Sequence, residues 1–242
     1  MHSVAQQSGK RKTVSLNGTW SIAEGSMKVV PTSFTHSVPV PGLVTLASPS
    51  FAGVGPKANY PPTATNLERS RLIKDTLREA FWYKRSFRLD GEIPASAVLR
   101  VAKAMFGTKV SLNGVDLGEH LPSFTPGYFN AKGALKKGDN ELLIRIGADR
   151  GALPRSMPDG FDYEKDRYIP GIYDKVELIL SGTPHIVSVQ VAPDIRTNKI
   201  TVQVELAKCR RCKKHGPEIS GIGKQIQKAR CHAYKAGNSF PR

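Results

Sequence analysis

The sequence predicts an all-β protein whose body is a sandwich of two-faced strands, and two observations carry that reading. The stretch from Phe81 to Ile146 holds four short runs in which apolar and polar residues tend to alternate: Phe81 to Leu89, Ala97 to Val101, Lys109 to Gly118, and Asn140 to Ile146. Alternation with period two sends one set of side chains into a core and the other into water, so each run reads as a half-buried strand. In the third run, Val110, Leu112, Val115 and Leu117 flank Asn113-Gly114. That dipeptide supplies the two positive φ angles of a type I′ turn most readily, so the run reads as a hairpin.

The remaining elements follow in chain order. Leu16-Asn17-Gly18-Thr19-Trp20-Ser21-Ile22 opens the folded part, with a turn dipeptide between apolar residues and Trp20 expected to pack in the core. Val38-Pro39-Val40-Pro41-Gly42 is held extended by its prolines and ended by its glycine. From Thr45 to Arg78 no period is sustained and Pro, Gly and Ala abound, which marks a long loop; Leu67 to Leu77 has apolar residues near helical spacing. A second long loop, Gly151 to Pro170, contains Asp159, Phe161, Asp162, Tyr163, Glu164, Asp166, Arg167 and Tyr168. Carboxylates accept hydrogen bonds from paired hydroxyls and aromatic rings cover the apolar face of a pyranose, so this composition suits a sugar site as well as a solvated surface loop. Alternation returns from Gly171 to Leu180, which reads as the closing strand of the body. Beyond the break at Gly182-Thr183-Pro184, His185 to Val191 and Lys199 to Leu206 read as one further hairpin, too small to bury a face by itself.

Composition narrows the classes. A chain of 242 residues, 39% of them hydrophobic, has the length for one large or two small domains. It has no run of 18 apolar residues and no apolar stretch near its polar, basic start, so neither a membrane span nor a signal peptide is read, and a cytoplasmic location is the default expectation. The net charge of +16 is uneven: residues 207–242 carry ten Lys or Arg against the single acid Glu218, a net of +9, which leaves +7 for the other 206 residues. All three cysteines, Cys209, Cys212 and Cys231, lie in that same segment. Cys209 and Cys212 with His215, Cys231 and His232 offer zinc-ligand chemistry, but at a spacing that fits no standard finger, and the charge alone would give a phosphate backbone nonspecific affinity. The expectation set above both is that residues 207–242 are out-of-frame or unrelated sequence and largely disordered.

Six short motifs stand in an order seen in glycoside hydrolase family 2, the family of β-galactosidases, β-glucuronidases and β-mannosidases. They are Leu16-Asn17-Gly18-Thr19-Trp20, Trp82-Tyr83-Lys84-Arg85-Ser86-Phe87, Val110-Ser111-Leu112-Asn113-Gly114, Thr125-Pro126-Gly127-Tyr128-Phe129-Asn130, Lys137-Gly138-Asp139-Asn140-Glu141-Leu142 and Gly171-Ile172-Tyr173-Asp174-Lys175-Val176-Glu177-Leu178. The chain resembles the N-terminal part of that family from about Leu16 to Leu206. The resemblance implies a jelly-roll, galactose-binding-like β-sandwich that binds sugar (14–181) and the opening strands of an incomplete immunoglobulin-like domain (182–206); residues 1–13 are expected to be a disordered start, and the basic tail (207–242) departs from the family pattern. It implies hydrolysis of O-glycosyl bonds for the complete enzyme, by two glutamates of a TIM barrel. Nothing in this chain corresponds to that barrel, so the resemblance implies a truncated, inactive piece with no catalytic residue, no metal and no cofactor. Its partner would be a carbohydrate, a β-glycoside. Family members send an acid from just before the Gly-Ile-aromatic turn into the active-site pocket, which here leaves Asp162, Glu164 and Asp166 open as candidates, with Asn59 and Tyr60 weaker ones. A free-standing carbohydrate-binding module and a nucleic-acid-binding protein acting through the tail are the alternatives from other classes.

Overall fold

A computed structural model describes residues 11–54, 78–158, 169–207 and 229–232. The protein is an all-β sandwich. Its strands are β1 (Lys12–Ser15), β2 (Gly18–Gly25), β3 (His36–Val40), β4 (Gly42–Leu43), β5 (Ala80–Leu89), β6 (Ser96–Val101), β7 (Ala104–Met105), β8 (Thr108–Leu112), β9 (Val115–His120), β10 (Gly127–Asn130), β11 (Gly138–Gly147), β12 (Gly171–Ile172), β13 (Val176–Ser181), β14 (His185–Asp194), β15 (Lys199–Ala207) and β16 (Ala229–His232). The chain divides into two compact units, one made of residues 12–93 with 97–180, the other of 181–242 with 1–11 and 94–96.

The first unit stacks a four-stranded sheet, β1-β13-β6-β10, on a six-stranded one, β3-β2-β5-β11-β8-β9. Alternation decides what lies between them. β5 and β11 pair antiparallel over ten residues, from Leu89 opposite Gly138 to Ala80 opposite Gly147. Phe81 and Tyr83 from β5 then share the inner face with Leu142, Ile144 and Ile146 from β11, and Leu99, Val101, Val176 and Leu178 answer from the other sheet in one apolar cluster. Trp20 is 1% exposed in that core, as the sequence predicts. Its indole Nε1 donates to the Leu16 carbonyl at 2.9 Å, so its one polar atom is satisfied. Outward-facing Lys84 and Glu141 pair at 2.9 Å, as do Lys109 and Asp116; both are surface pairs.

The Asn113-Gly114 turn has the positive φ at both residues that the hairpin reading requires, 52° and 80°. Asn113 also does more than turn the chain. Its Nδ2 donates to the Ala134 carbonyl and to Asn140 Oδ1, both at 2.8 Å, while its Oδ1 accepts from the Glu141 amide at 2.9 Å. Asn140, buried at 3% exposure, accepts from the Lys136 amide as well and donates to the carbonyls of Lys136 and Gly138. All four bonding positions of the Asn140 amide are filled, which is the condition under which burying a polar group costs little.

Where the sequence reads one closing strand from Gly171 to Leu180, the structure has two. Gly171 and Ile172 join a separate three-stranded sheet, β4-β12-β7, and only β13 belongs to the sandwich. The cause is a close backbone approach: a Cβ on Gly171 would lie 2.7 Å from the Gly42 carbonyl oxygen and 2.9 Å from the Leu43 Cα.

In the second unit, β14 and β15 form the expected hairpin. Val189, Val191 and Pro193 face Val204, Val202 and Ile200 on one side, and Gln190 faces Gln203 on the other. Val189, Val191 and Ile200 are exposed, in keeping with a hairpin too small to cover its own face. β16, in the segment where the sequence shows no period, runs parallel to β15. The short helix expected at Leu67 to Leu77, and Cys209, Cys212 and His215, lie outside the described residues. Among the described residues no helix is long and apolar enough to cross a membrane, and no group of three His, Cys, Asp or Glu could hold a metal ion.

Two outcomes test this account of the core. Asn140→Ala takes partners from three backbone groups worth roughly 1 kcal/mol each, so urea unfolding is expected to show a loss of about 3 kcal/mol. The Tyr83 hydroxyl is fully buried with no hydrogen-bond partner among the described residues, and burial raises its pKa. Tyr83→Phe is therefore expected to leave stability unchanged or raise it by up to about 1 kcal/mol in the same measurement.

Candidate functional site

The register of the six-stranded sheet gathers strand ends at one end of the sheet. Gly25 of β2 lies opposite Ala80 of β5, and Ala80 opposite Gly147 of β11. β8 enters at Thr108, opposite His120 at the end of β9. Backbone bonds tie these ends together: the Glu79 amide donates to the Gly25 carbonyl, the Ala148 amide to the Glu79 carbonyl, both at 2.9 Å, and the Gly147 amide to the Phe106 carbonyl at 3.0 Å. Both long loops that the sequence singles out are rooted here, since Arg78-Glu79 leads into β5 and Ala148 leads out of β11.

The feet of the first loop meet at Arg78, which is 6% exposed. Its Nη2 donates to the Ala52 carbonyl at 2.8 Å and its Nε to Glu24 Oε2 at 2.6 Å. Its guanidinium sits 5.8 Å and 5.3 Å from the ring centroids of Phe51 and Phe81, and the His36 ring stacks on Phe51 at 4.0 Å. Residues 52 and 78 are thereby joined by a side chain across the 25 residues between them.

The feet of the second loop share a small apolar cluster separate from the main core. Met105, Phe106 and Leu153 are buried in it, with Leu121, Phe124, Met157 and Tyr173 packed around them. Asp149 begins the loop by accepting the Gly151 amide at 2.6 Å at the head of a single 3-10 turn, Arg150–Ala152. The Arg150 guanidinium then donates to four carbonyls in succession: Leu153 (3.1 Å), Pro154 (3.1 Å), Arg155 (3.2 Å) and Met157 (2.8 Å). At the other foot the Tyr173 hydroxyl donates to the Ile169 carbonyl, and the Tyr173 ring meets Phe124 edge-on at 5.0 Å. A third, shorter connection, from His120 to Gly127, is held by His120 Nε2 against Thr125 Oγ1 at 2.8 Å.

Asp162, Glu164 and Asp166, and Asn59 and Tyr60, all lie outside the described residues. The structure describes the feet on either side of both groups: Arg78 and Ala148 stand at the same end of the six-stranded sheet, Ala52 is tied to Arg78, and Tyr173 packs with Phe106, whose carbonyl accepts from the Gly147 amide. Sequence reasoning missed Arg78, Arg150 and the clamping role of Tyr173. The only signal was position: Arg78 borders one aperiodic stretch, Arg150 opens the other, and Tyr173 closes it.

No protein-family model matches the sequence, and no curated protein does. Solved structures do. The chain is similar to a β-D-mannosidase from Dictyoglomus thermophilum, with a TM-score of 0.53 and 20% identity over 75% of this chain and 24% of that one. It is similar to a β-D-glucuronidase from the same organism, with a TM-score of 0.54 and 19% identity over 83% of this chain and 34% of that one. A β-glucuronidase from an uncultured Clostridium sp. gives 0.53 and 17% over 85% and 35%. At these identities the likeness is one of fold, and the chain spans between about a quarter and about a third of the length of each.

The pKa of His120 is lowered, first by its burial. Its native value lies below its unfolded one, so the unfolded chain takes up the proton first. The stability tied to neutral His120 is whole above the unfolded value of about 6.5 and is lost as pH falls through the lower native value. Asp116, whose pKa is lowered chiefly by hydrogen bonding to Lys109, acts only in a more acidic range. Urea midpoints measured at steps from pH 7.5 to 5 should fall for the wild type and stay flatter for His120→Gln.

Proposed function

We propose that this chain is the non-catalytic, sugar-binding part of a family 2 glycoside hydrolase, with residues 14–181 as its jelly-roll domain and 182–206 as the first strands of an immunoglobulin-like domain. The carrying observation is that the described feet of the two long loops expected from the sequence, 45–78 and 151–170, meet at one end of the six-stranded sheet, where Arg78-Glu79 leads into β5 and Ala148 leads out of β11. The six ordered motifs and the fold likeness to a β-mannosidase and two β-glucuronidases support the same reading.

The chemistry is recognition. Asp162, Glu164 and Asp166 would accept hydrogen bonds from sugar hydroxyls, Phe161, Tyr163 and Tyr168 would cover a ring face, and Asn59 and Tyr60 would contribute from the first long loop. Cleavage of the O-glycosyl bond would belong to the complete enzyme, whose two barrel glutamates serve as acid/base and nucleophile. No catalytic role is assigned to any residue of this chain, and no cofactor is needed for binding.

The test is a titration of the isotopically labelled chain with methyl β-D-glucuronide, β-D-mannoside and β-D-galactoside, followed by NMR shifts. One of the three is expected to bind, and Asp162→Ala or Asp166→Ala to weaken it at least tenfold. Flat titrations with all three would overturn a sugar site in this chain. Chromogenic β-glycosides are expected to stay uncut by this chain alone; turnover would overturn the non-catalytic reading.

A further inference from the structure

The outer face of the four-stranded sheet carries a row of polar side chains, one from each strand. Alternation turns Leu99, Phe129, Val176 and Leu178 into the core, so Arg100, Tyr128 and Glu177 point the other way. Tyr128 of β10 stands opposite Arg100 of β6. Arg100 Nη1 donates to Glu177 Oε2 of β13 at 3.0 Å, and Glu177 stands opposite Ser15 of β1. With neighbouring strands about 4.8 Å apart, the row runs roughly 14 Å across the sheet. Its four residues belong to strands of the sandwich, and none to a long loop.

The row is unevenly charged and rigidly held. One carboxylate, Glu177, serves two cations: Arg100 through Oε2 and Lys175 through Oε1 at 3.2 Å, which leaves one positive charge in surplus. Those contacts hold the Glu177 side chain at 13% exposure and fix the guanidinium plane. Tyr128 is 43% exposed, and the guanidinium lies 6.0 Å from its ring centroid. A flat ring beside a fixed guanidinium offers stacking and charge-assisted binding of a carboxylate within one strand spacing.

We propose that this row binds an acidic oligosaccharide. One uronate ring stacks on Tyr128 with its carboxylate on Arg100, and the chain continues across the strands to Glu177 and Ser15, which bond its hydroxyls. One surplus cation beside one ring matches a uronate, which carries ring and carboxylate in a single residue. A phosphate backbone calls for a run of cations, and an acidic peptide has no rigid pyranose to lay on Tyr128. The row lies on the sheet opposite the one whose strand ends root the long loops, so neither site depends on the other's ligand.

The test titrates the isotopically labelled full chain with β-1,4-linked pentamannuronate and with β-1,4-mannopentaose, which differ only in their carboxylates. Pentamannuronate is expected to shift amides at 98–100, 128–130 and 175–179 and to bind at least fivefold more tightly than the neutral chain. Tyr128→Ala and Arg100→Gln are each expected to weaken it at least tenfold, while Tyr128→Phe, which keeps the ring, stays within twofold of the wild type. Arg100→Gln leaves Glu177 with Lys175 as partner; if that variant fails to fold, the two Tyr128 variants decide. Equal affinity for mannopentaose, or for a polyglutamate of matched charge, overturns the uronate reading. Unaltered affinity in Tyr128→Ala, or no shifts in the wild type, overturns the site. Loss of binding in Asp162→Ala would move the ligand to the long loops and overturn it as well. Methyl glycosides that fail to bind count against the loop site alone, since this one is decided by its own ligand and its own variants.

Discussion

The ten-residue ladder between β5 and β11 is the constraint on which the rest depends. Successive side chains of a strand point to opposite faces, so once Ala80 stands opposite Gly147 the fate of every residue between is decided. Phe81, Tyr83, Ile144 and Ile146 go in; Trp82, Lys84 and Arg145 go out. A slip by one residue would turn Lys84, Arg88 and Arg145 toward the core, so no neighbouring register competes. Even the outward residues are used. Trp82 and Arg145 donate to the carbonyls of Ser26 and Met27 at 2.9 and 2.8 Å and pin the connection after β2 to the back of the sheet. The same register brings the ends of β2, β5 and β11 side by side. The meeting of the feet of the two long loops at Arg78-Glu79 and Ala148 is therefore a consequence of strand pairing.

Legibility in the sequence follows the same line. Period two is a local property, so the strands of the sandwich could be read from residues a few positions apart. Asn113-Gly114 could be read because positive φ is a local demand. The division of Gly171 to Leu180 into β12 and β13 could not, because the alternation runs on through Tyr173-Asp174-Lys175 while the sheet to which it refers changes. Its one trace is Gly171, whose lack of a side chain admits the backbone of Gly42 and Leu43. A glycine at the head of an apolar strand serves turns and bulges equally well, so its presence does not separate one strand from two.

The sequence proposes a chemistry for the candidate site and shows nothing of how the feet of its loops are built. Acids beside aromatic rings suggest sugar from composition alone. That the chain entering β5 at Ala80 and the chain leaving β11 at Gly147 stand side by side depends on pairings between residues 55 to 67 positions apart in the chain, which no pattern in one sequence displays. The clamps were hidden by the nature of their acceptors: these are backbone carbonyls, which every residue has. Arg78 and Arg150 stand among 36 cationic residues, and only the partners set them apart.

The two arginine clamps differ in a way that bears on how such a site tolerates change. Arg78 is buried between two phenylalanine rings and carries Glu24 as counter-charge, so removing it would leave rings unfilled and a carboxylate without its partner; its role in stability and its role in loop geometry cannot be separated. Arg150 lies toward the surface, and its guanidinium donates to four carbonyls of the loop that it opens. Substitution at 150 can loosen a loop foot with the sandwich left standing, whereas substitution at 78 draws on the core itself. A chain that diversified its ligand through these loops would therefore be free to vary the base of one and held to the base of the other.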